Sequence, residues 1–205
     1  MERQLRGGLG FQARAAWDEK NLYVRYDVTS PNPLVNSVAD PQSIFLGGNC
    51  LDIQIATNPD APADRTEPAP GDIRLIVTRQ NDKPAAVLFQ PKVKGFKGEP
   101  IVMESPVDRE TFDRITEVRD LALKYEEREG GFTAVVTVPL ELLGWKPVSG
   151  MGVKMDLGYV FGDKTGRNAL KRAYWANNSF EANVVDDLPD ESRLNPEHWD
   201  TAVIE

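Results

Sequence analysis

The chain has 205 residues and a formal net charge of −8 at neutral pH, from 32 acidic and 24 basic side chains. This length suits one domain that buries a core without disulfides or metals, and we expect residues 1–205 to form a single domain. The excess of negative charge repels polyanions, which makes nucleic acid and anionic membranes poor candidates as partners. The single cysteine, Cys50, lies in an apolar run and is expected to pack in the core.

Alternation between apolar and polar residues, with the period of two that is typical of β-strands, is the strongest pattern in the chain. In chain order it covers Phe11–Trp17, Leu22–Val28, Leu51–Ala56, Ile73–Thr78, Ala85–Phe89, Ile115–Tyr125, Phe132–Val138 and Val153–Phe161. We expect residues 1–10 to be a flexible or truncated lead-in to the first strand. No segment approaches the roughly 18 consecutive apolar residues of a membrane span.

Turn-forming residues separate these segments at 18–21, 81–84 and 129–131, so the strands are predicted to pair antiparallel through hairpins. Helical patterning is limited to one turn after Pro41 and another at Leu140–Leu143, which Gly144 ends. A parallel α/β sheet is disfavoured because its crossovers need longer helices. The pattern predicts an all-β antiparallel fold, a sandwich or a barrel, with minimal helix.

Long irregular segments are the other recurring feature. In a sandwich such loops gather at the rims and often carry function. They are Ser30–Asn49, Asn58–Gly71 and Asn177–Glu197.

Most catalytic constellations are missing from the sequence. The chain has only one histidine, His198, so a His-rich zinc site is excluded. Any Ser-His-Asp triad would have to use this residue. Neither a G-x-S-x-G elbow nor a phosphate-binding glycine-rich loop is present. A glycosidase needs only two carboxylates at a defined separation, which a sequence with 32 acidic residues does not test.

The residue types present do not exclude a bound metal ion or haem. Loop carboxylates and carbonyl oxygens suit calcium better than a transition metal, although no stretch has the EF-hand pattern. Methionines on strands mostly fill cores, but some sandwich domains use them to hold haem. The methionines in question are Met103, Met151 and Met155.

The segment 172–178 places aromatic rings beside planar donors and amides. Pyranose C–H groups pack on the face of an indole, and Arg or Asn side chains pair with vicinal hydroxyls. Trp175 is therefore the candidate ligand-facing ring, and its polar neighbours are Arg172, Tyr174 and Asn177. The remaining tryptophans are expected to be structural: Trp17, Trp145 and Trp199.

The order and spacing of several short segments resemble the family nine carbohydrate-binding modules, which are also grouped with DOMON-like sugar-binding domains. The resemblance covers about Phe11 to Ile204. It implies an antiparallel β-sandwich of immunoglobulin-like or jelly-roll type with long rim loops. The segments that carry it are Ala16–Val24, Asn49–Ile55, Val138–Leu140, Gly162-Asp163 and Tyr174-Trp175.

What the resemblance implies about function is non-catalytic binding of an oligo- or polysaccharide, with two aromatic rings enclosing a sugar and calcium as a candidate structural ion. By position, Trp175 resembles one ring, and Arg172 and Asn177 resemble its hydrogen-bonding neighbours. Phe45 is the preferred second ring, ahead of Trp145 and Tyr174.

Asp52 and Arg74 lie on strands that the family tends to use for polar contacts. Alternatively, the two form a cross-strand ion pair.

The resemblance further implies a secreted or extracytoplasmic module attached to other domains of a larger protein. Two alternatives stay open: a glycan-active hydrolase that uses a carboxylate pair, and a haem-binding DOMON-type electron-transfer domain.

Overall fold

The computed structural model describes residues 1–5, 7–177, 184 and 187–204. Strands dominate this part of the chain: β1 (Glu2–Gln4), β2 (Gly10–Trp17), β3 (Asn21–Thr29), β4 (Cys50–Ala56), β5 (Asp72–Gln80), β6 (Lys83–Gln90), β7 (Ile101–Glu104), β8 (Arg109–Phe112), β9 (Arg114–Val118), β10 (Ala122–Arg128), β11 (Gly131–Pro139), β12 (Gly152–Gly162), β13 (Ala169–Tyr174) and β14 (Asp200–Val203). The helices in the described residues are α1 (Leu140–Leu143), α2 (Leu188–Ser192) and two 3₁₀ helices, Pro41–Leu46 and Pro196–His198.

The strands form two large antiparallel sheets. The five-stranded sheet has the order β1-β2-β3-β11-β10. The seven-stranded sheet has the order β13-β12-β4-β5-β6-β9, with β14 also paired to β12, and β7 and β8 form a separate hairpin. This confirms the antiparallel β-sandwich predicted from the sequence.

The main core lies between the two sheets. Side chains alternate across each strand, so every second residue of a strand faces the opposite sheet. Val24 and Val136 face inward from the five-stranded sheet, and Ile53, Leu75 and Leu157 meet them from the seven-stranded sheet; all five are fully buried.

The seven-stranded sheet is covered on its outer face as well. Every residue from Cys50 to Ile55 and from Asp72 to Thr78 is buried, which means that both faces of β4 and β5 are shielded from water. A second apolar cluster on the outer face includes Ile44, Phe89 and Trp199. Cys50 belongs to this cluster, and burial raises the pKa of its thiol to about 12. It is therefore a core residue, as predicted.

The hairpins and both short helical turns occur where the sequence predicts them. The 18–21, 81–84 and 129–131 turns join β2 to β3, β5 to β6 and β10 to β11. Asn81 and Asp82 both have positive φ, the conformation of a type I′ hairpin turn. Gly144 ends α1 in the left-handed conformation.

The structure differs from the sequence prediction at residues 115–125. The predicted single strand is two strands in different sheets: β9 pairs with β6, and β10 pairs with β11. The break includes Asp120, which has a φ of 60°, in the left-handed region. Leu121 packs there in the main core. A period-two pattern continues across such a break, so the pattern alone does not reveal it.

The first residues are paired into a sheet, which differs from the expectation of a flexible lead-in. Glu2–Gln4 forms β1, the edge strand of the five-stranded sheet, and pairs with residues 10–12 of β2. Met1 Nα donates a hydrogen bond of 3.2 Å to the carbonyl oxygen of Ala13. Among the helices of the described residues, none has the length and apolar character needed to cross a bilayer.

We expect Leu75→Ala to lower the free energy of unfolding by about 2–5 kcal/mol, because it removes buried methyl groups from the centre of the main core. The matched control is Val203→Ala, at a side chain that is 66% exposed, where the change should stay within about 0.5 kcal/mol. Urea denaturation measures both. Equal midpoints for the two variants would contradict the position assigned to Leu75.

Candidate functional site

Charged and polar side chains cluster on the outer face of the seven-stranded sheet, where the strands β13, β12, β4 and β5 lie side by side. Gly158 is paired with Asp52 on one side and with Tyr174 on the other, and Asp156 is paired with Gln54. Gln54 is in turn paired with Arg74. Strand register therefore gathers residues from four distant parts of the chain on one surface.

Gly158 has a packing role in this surface. A Cβ atom at this position would lie 2.3 Å from Cδ1 of Tyr174, so only glycine leaves space for the tyrosine ring. The ring crosses above β12, and its hydroxyl donates a hydrogen bond of 2.7 Å to Oδ2 of Asp52. Burial raises the pKa of Tyr174, which keeps the hydroxyl protonated as a donor.

Asp52 and Arg74 form a buried ion pair. Arg74 Nη2 and Nε lie 2.7 and 3.0 Å from Oδ2 of Asp52, and both side chains are only 1% exposed. The remaining guanidinium nitrogen, Nη1, donates to the carbonyl oxygen of Glu191 at 2.6 Å. The guanidinium also lies 4.9 Å from the ring centroid of Phe45. These contacts satisfy a charge that would be costly to bury alone.

A second buried ion pair connects the sheet to α2. Arg172 Nη1 lies 2.6 Å from Oε2 of Glu191, and their side chains are 6% and 3% exposed. Arg193, which follows α2, pairs with Asp108 at 2.7 Å and with Glu110 at 2.9 Å. The segment Leu188–Trp199 is thus fixed over the polar surface from both sides.

A small pocket remains between this segment and the sheet. Its volume is about 10 Å³, enough for about one water molecule. On its wall the indole nitrogen Nε1 of Trp199 donates a 2.9 Å hydrogen bond to Oε1 of Gln54. The lining residues are Gln54, Asp156, Arg172, Tyr174, Asn177, Arg193, Asn195 and Trp199. We call this the outer-face site.

Asp156 is the carboxyl group that lines the outer-face site. Its carboxylate accepts hydrogen bonds from the backbone amides of Ala176 at 2.9 Å and Asn177 at 3.0 Å. Burial is the dominant influence on the group and raises its pKa to about 7.

The structure brings most of the sequence-predicted site residues together. Arg172, Tyr174 and Asn177 line the outer-face site, and Asp52 and Arg74 lie beneath it. The ion-pair interpretation of Asp52 and Arg74 is the one that the structure shows. Asn178, also part of the candidate segment, lies outside the described residues.

Neither Trp175 nor Phe45, the two preferred sugar-enclosing rings, faces this site, whereas Tyr174, an alternative second ring, lines it. Phe45 is 1% exposed and packs between Arg74 and Phe89, whose ring centroid is 5.6 Å away, so the structure does not offer it as a sugar-binding wall. Trp175 is partly buried against the main core between the sheets. Residues 174 and 175 point to opposite faces because side chains alternate at the end of β13.

Several residues of the site were missed by the sequence analysis. Gln54 and Asp156 are polar residues at buried positions of otherwise apolar strands, a signal that was available in the sequence. Trp199 was assigned a purely structural role. Glu191 gives no local signal, because its partners Arg74 and Arg172 lie far away in sequence.

Within the described residues, no group of three or more His, Cys, Asp or Glu side chains is arranged to hold a metal ion. Calcium binding remains a prediction from the family resemblance. Two of the methionines considered for haem belong to different cores: Met155 packs between the sheets, whereas Met103 packs in the cluster on the outer face.

No protein-family model matches the chain, and no curated protein matches it either. Solved structures do match. One is a family 9 carbohydrate-binding module from Caldicellulosiruptor kristjanssonii in complex with cellotriose, with a TM-score of 0.54 and 14% identity over 96% of this chain and 75% of that one. A structure of such a module from the same organism in complex with glucose gives a TM-score of 0.52 and 15% identity over 96% and 76%.

The chain has the fold of a family 9 carbohydrate-binding module. The fold predicted from the family resemblance is therefore confirmed across nearly the whole chain. In this chain, the outer-face site combines two buried ion pairs with the segment Leu188–Trp199 that covers it.

We expect the stability of the protein to fall as the pH rises from 5 to 8, through Asp156. The unfolded chain ionises this carboxyl near pH 4, whereas the folded protein ionises it near pH 7, so between these values the folded state binds more protons. The loss should be about 3 kcal/mol across this range. Asp156→Asn should remove this component from the pH profile.

The measurement is the free energy of unfolding in urea at pH 5 and pH 8 for both proteins. The difference between wild type and variant isolates Asp156 from the other titrating groups. If that difference is the same at both pH values, the carboxyl does not have the raised pKa assigned to it.

Proposed function

We propose that the chain is a non-catalytic carbohydrate-binding module that binds an oligo- or polysaccharide at the outer-face site. The observation that carries the proposal is the convergence of Arg172, Tyr174, Gln54 and Asp156 beside the indole of Trp199. Planar amide, guanidinium and carboxylate groups match vicinal sugar hydroxyls, and an indole face packs against pyranose C–H groups. Similar folds in complex with cellotriose and glucose add support.

Binding at this site requires the segment Leu188–Trp199 to move and to carry the Trp199 indole with it, because a space of about 10 Å³ does not admit a pyranose ring. The floor beneath the segment is pre-organised by the Asp52–Arg74 ion pair and by the hydroxyl of Tyr174. Opening therefore exposes fixed polar groups. The free energy needed to displace the segment subtracts from the affinity.

The bonding of the carboxylates favours binding over catalysis. Asp52 accepts hydrogen bonds from Arg74, Tyr174 and Gln54, and both oxygens of Asp156 accept backbone amides. A glycosidase needs a carboxyl group that can deliver a proton to the leaving oxygen.

A hydrolase remains the second candidate because of one observation. Asp156 has a pKa of about 7 in a pocket, as a general acid would. Release of the chromophore from an aryl glycoside, lost in Asp156→Asn, would favour the hydrolase over the binding module.

The proposal extends to a secreted or extracytoplasmic location and to attachment to other domains of a larger glycan-processing protein. Its support is the family resemblance alone. Calcium as a structural ion has the same support, and an increase in the melting temperature on addition of calcium would test it.

We expect calorimetric titration with cellotriose to give a dissociation constant weaker than about 30 nM, because about 0.3 kcal/mol for each of about 34 heavy atoms gives about 10 kcal/mol before the opening cost is subtracted. Arg172→Lys should weaken binding about tenfold or more, because a lysine keeps the charge but loses the planar fork. The matched control is Arg167→Lys, at an exposed position, which should bind like the wild type. Equal affinities for both variants would contradict the site assignment.

Two variants, Trp175→Ala and Trp199→Phe, distinguish which of the two indole rings stacks on the sugar. Trp199→Phe keeps a ring but loses the hydrogen bond to Gln54, and we expect it to weaken cellotriose binding. Circular dichroism of each variant shows whether it is folded. If only Trp175→Ala weakens binding, then Trp175 is the stacking ring and the outer-face site is wrongly placed.

We expect Arg193→Ala to tighten cellotriose binding by about threefold to tenfold. The substitution removes the ion pairs with Asp108 and Glu110, which are partly exposed and contribute at most about 1 kcal/mol each to holding the segment closed. The control is Arg109→Ala, at an exposed arginine of the β7–β8 hairpin that also carries Asp108 and Glu110. This variant should bind cellotriose like the wild type. Weaker binding in Arg193→Ala would show that Arg193 contacts the ligand and does not hold the segment.

A further inference from the structure

We propose that the chain has a second saccharide site, open to solvent, in a groove at one end of the sandwich. The groove lies between the β2–β3 turn and α1 with the loop that follows it, and its volume is about 840 Å³. This volume falls within the usual range of ligand sites. The inference rests on the proposed saccharide binding, but it uses none of the residues of the outer-face site. We call this surface the Trp17 groove.

An indole contributes to the lining of the Trp17 groove. Trp17 ends β2 and packs partly against the main core, which holds its ring in place while part of the side chain stays accessible. Trp145, only 6% exposed, and Pro147 add apolar surface. A ring fixed by packing loses little conformational entropy when a pyranose stacks on it.

Both walls of the groove are hydrogen-bonded internally and to each other. The Asp18 carboxylate accepts hydrogen bonds of 2.7 Å from the backbone amides of Lys20 and Asn21 and from the hydroxyl of Tyr23, which fixes the β2–β3 turn. The carbonyl oxygen of Lys20 accepts a 2.8 Å hydrogen bond from the amide of Leu140, the first residue of α1. A ligand therefore meets a preformed surface here, whereas the outer-face site has to open first.

The charges on the groove select the class of saccharide. Three carboxylates, those of Asp18, Glu19 and Glu141, face one ammonium, that of Lys146, which gives a local balance of 1 − 3 = −2. The whole chain carries −8. Carboxylates accept hydrogen bonds from sugar hydroxyls but repel uronates and sulfated sugars. The fitting ligand is a neutral pyranose or a short oligosaccharide of neutral pyranoses.

The test follows the indole N–H signals of the four tryptophans by NMR, each assigned from a single Trp→Phe variant. Cellotriose and glucose are the neutral probes, and glucuronate is the charged control. We expect the neutral sugars to shift the Trp17 and Trp145 signals and glucuronate to leave them in place. Trp199 reports separately on the outer-face site.

Two further variants test the groove if Trp17→Ala fails to fold. Trp17→Tyr retains a stacking ring and should keep most of the affinity, and Glu141→Lys, at an exposed position, should allow glucuronate to bind. The folded Trp17→Ala protein should lose about tenfold or more in affinity at the groove.

Each other result overturns the inference. Shifts at Trp199 alone leave the outer-face site standing and exclude the groove. Absence of shifts at all four indoles contradicts both sites. Shifts of Trp17 and Trp145 that follow protein concentration without sugar would make the groove a contact between copies of this chain. Equal shifts with glucuronate would contradict the assigned ligand class.

Discussion

The ion pair of Arg74 with Asp52 constrains the whole outer face of the seven-stranded sheet. Both side chains are almost fully buried, and removing one partner of such a pair typically costs about 3–5 kcal/mol because a buried charge is left uncompensated. Every remaining polar atom near it therefore needs a partner. Tyr174 supplies a hydroxyl, Glu191 supplies a carbonyl oxygen, and Gly158 gives the tyrosine ring its space. The position of α2 follows from the same requirement, since its carbonyl and carboxylate satisfy two arginines of the sheet.

The two proposed saccharide sites differ in whether their surface is already open to a ligand. On the outer face, the polar groups that suit a saccharide already bond to one another and to Leu188–Trp199, so a ligand has to compete with internal partners. At the Trp17 groove, the hydrogen bonds fix the walls but leave the surface accessible. Proteins bind most tightly where ordering has been completed before the ligand arrives. The two sites should accordingly differ more in opening cost than in the chemistry of their contacts.

The hairpins and the sandwich were predictable from the sequence because turn chemistry and period-two alternation are local. The 81–84 turn requires two residues with positive φ, and Asn81 and Asp82 tolerate that conformation. Residues 115–125 were misassigned because alternation does not show which sheet a strand joins. The edge strand β1 was missed because a strand of three residues carries almost no periodic signal, and its stability comes from pairing with β2.

The sequence by itself determined the strand pattern, the presence of only one histidine and one cysteine, and the polar residues Arg172, Tyr174 and Asn177 that lie close together in the chain. The tertiary structure decided which face each residue occupies. It set Tyr174 outward and Trp175 against the main core, paired Arg74 with Asp52, and brought Glu191 to Arg172. The physical reason is the separation of these partners along the chain. The carbonyl of Glu191 is 117 residues from its donor Arg74, and only the packing of α2 on the completed sheet brings them together.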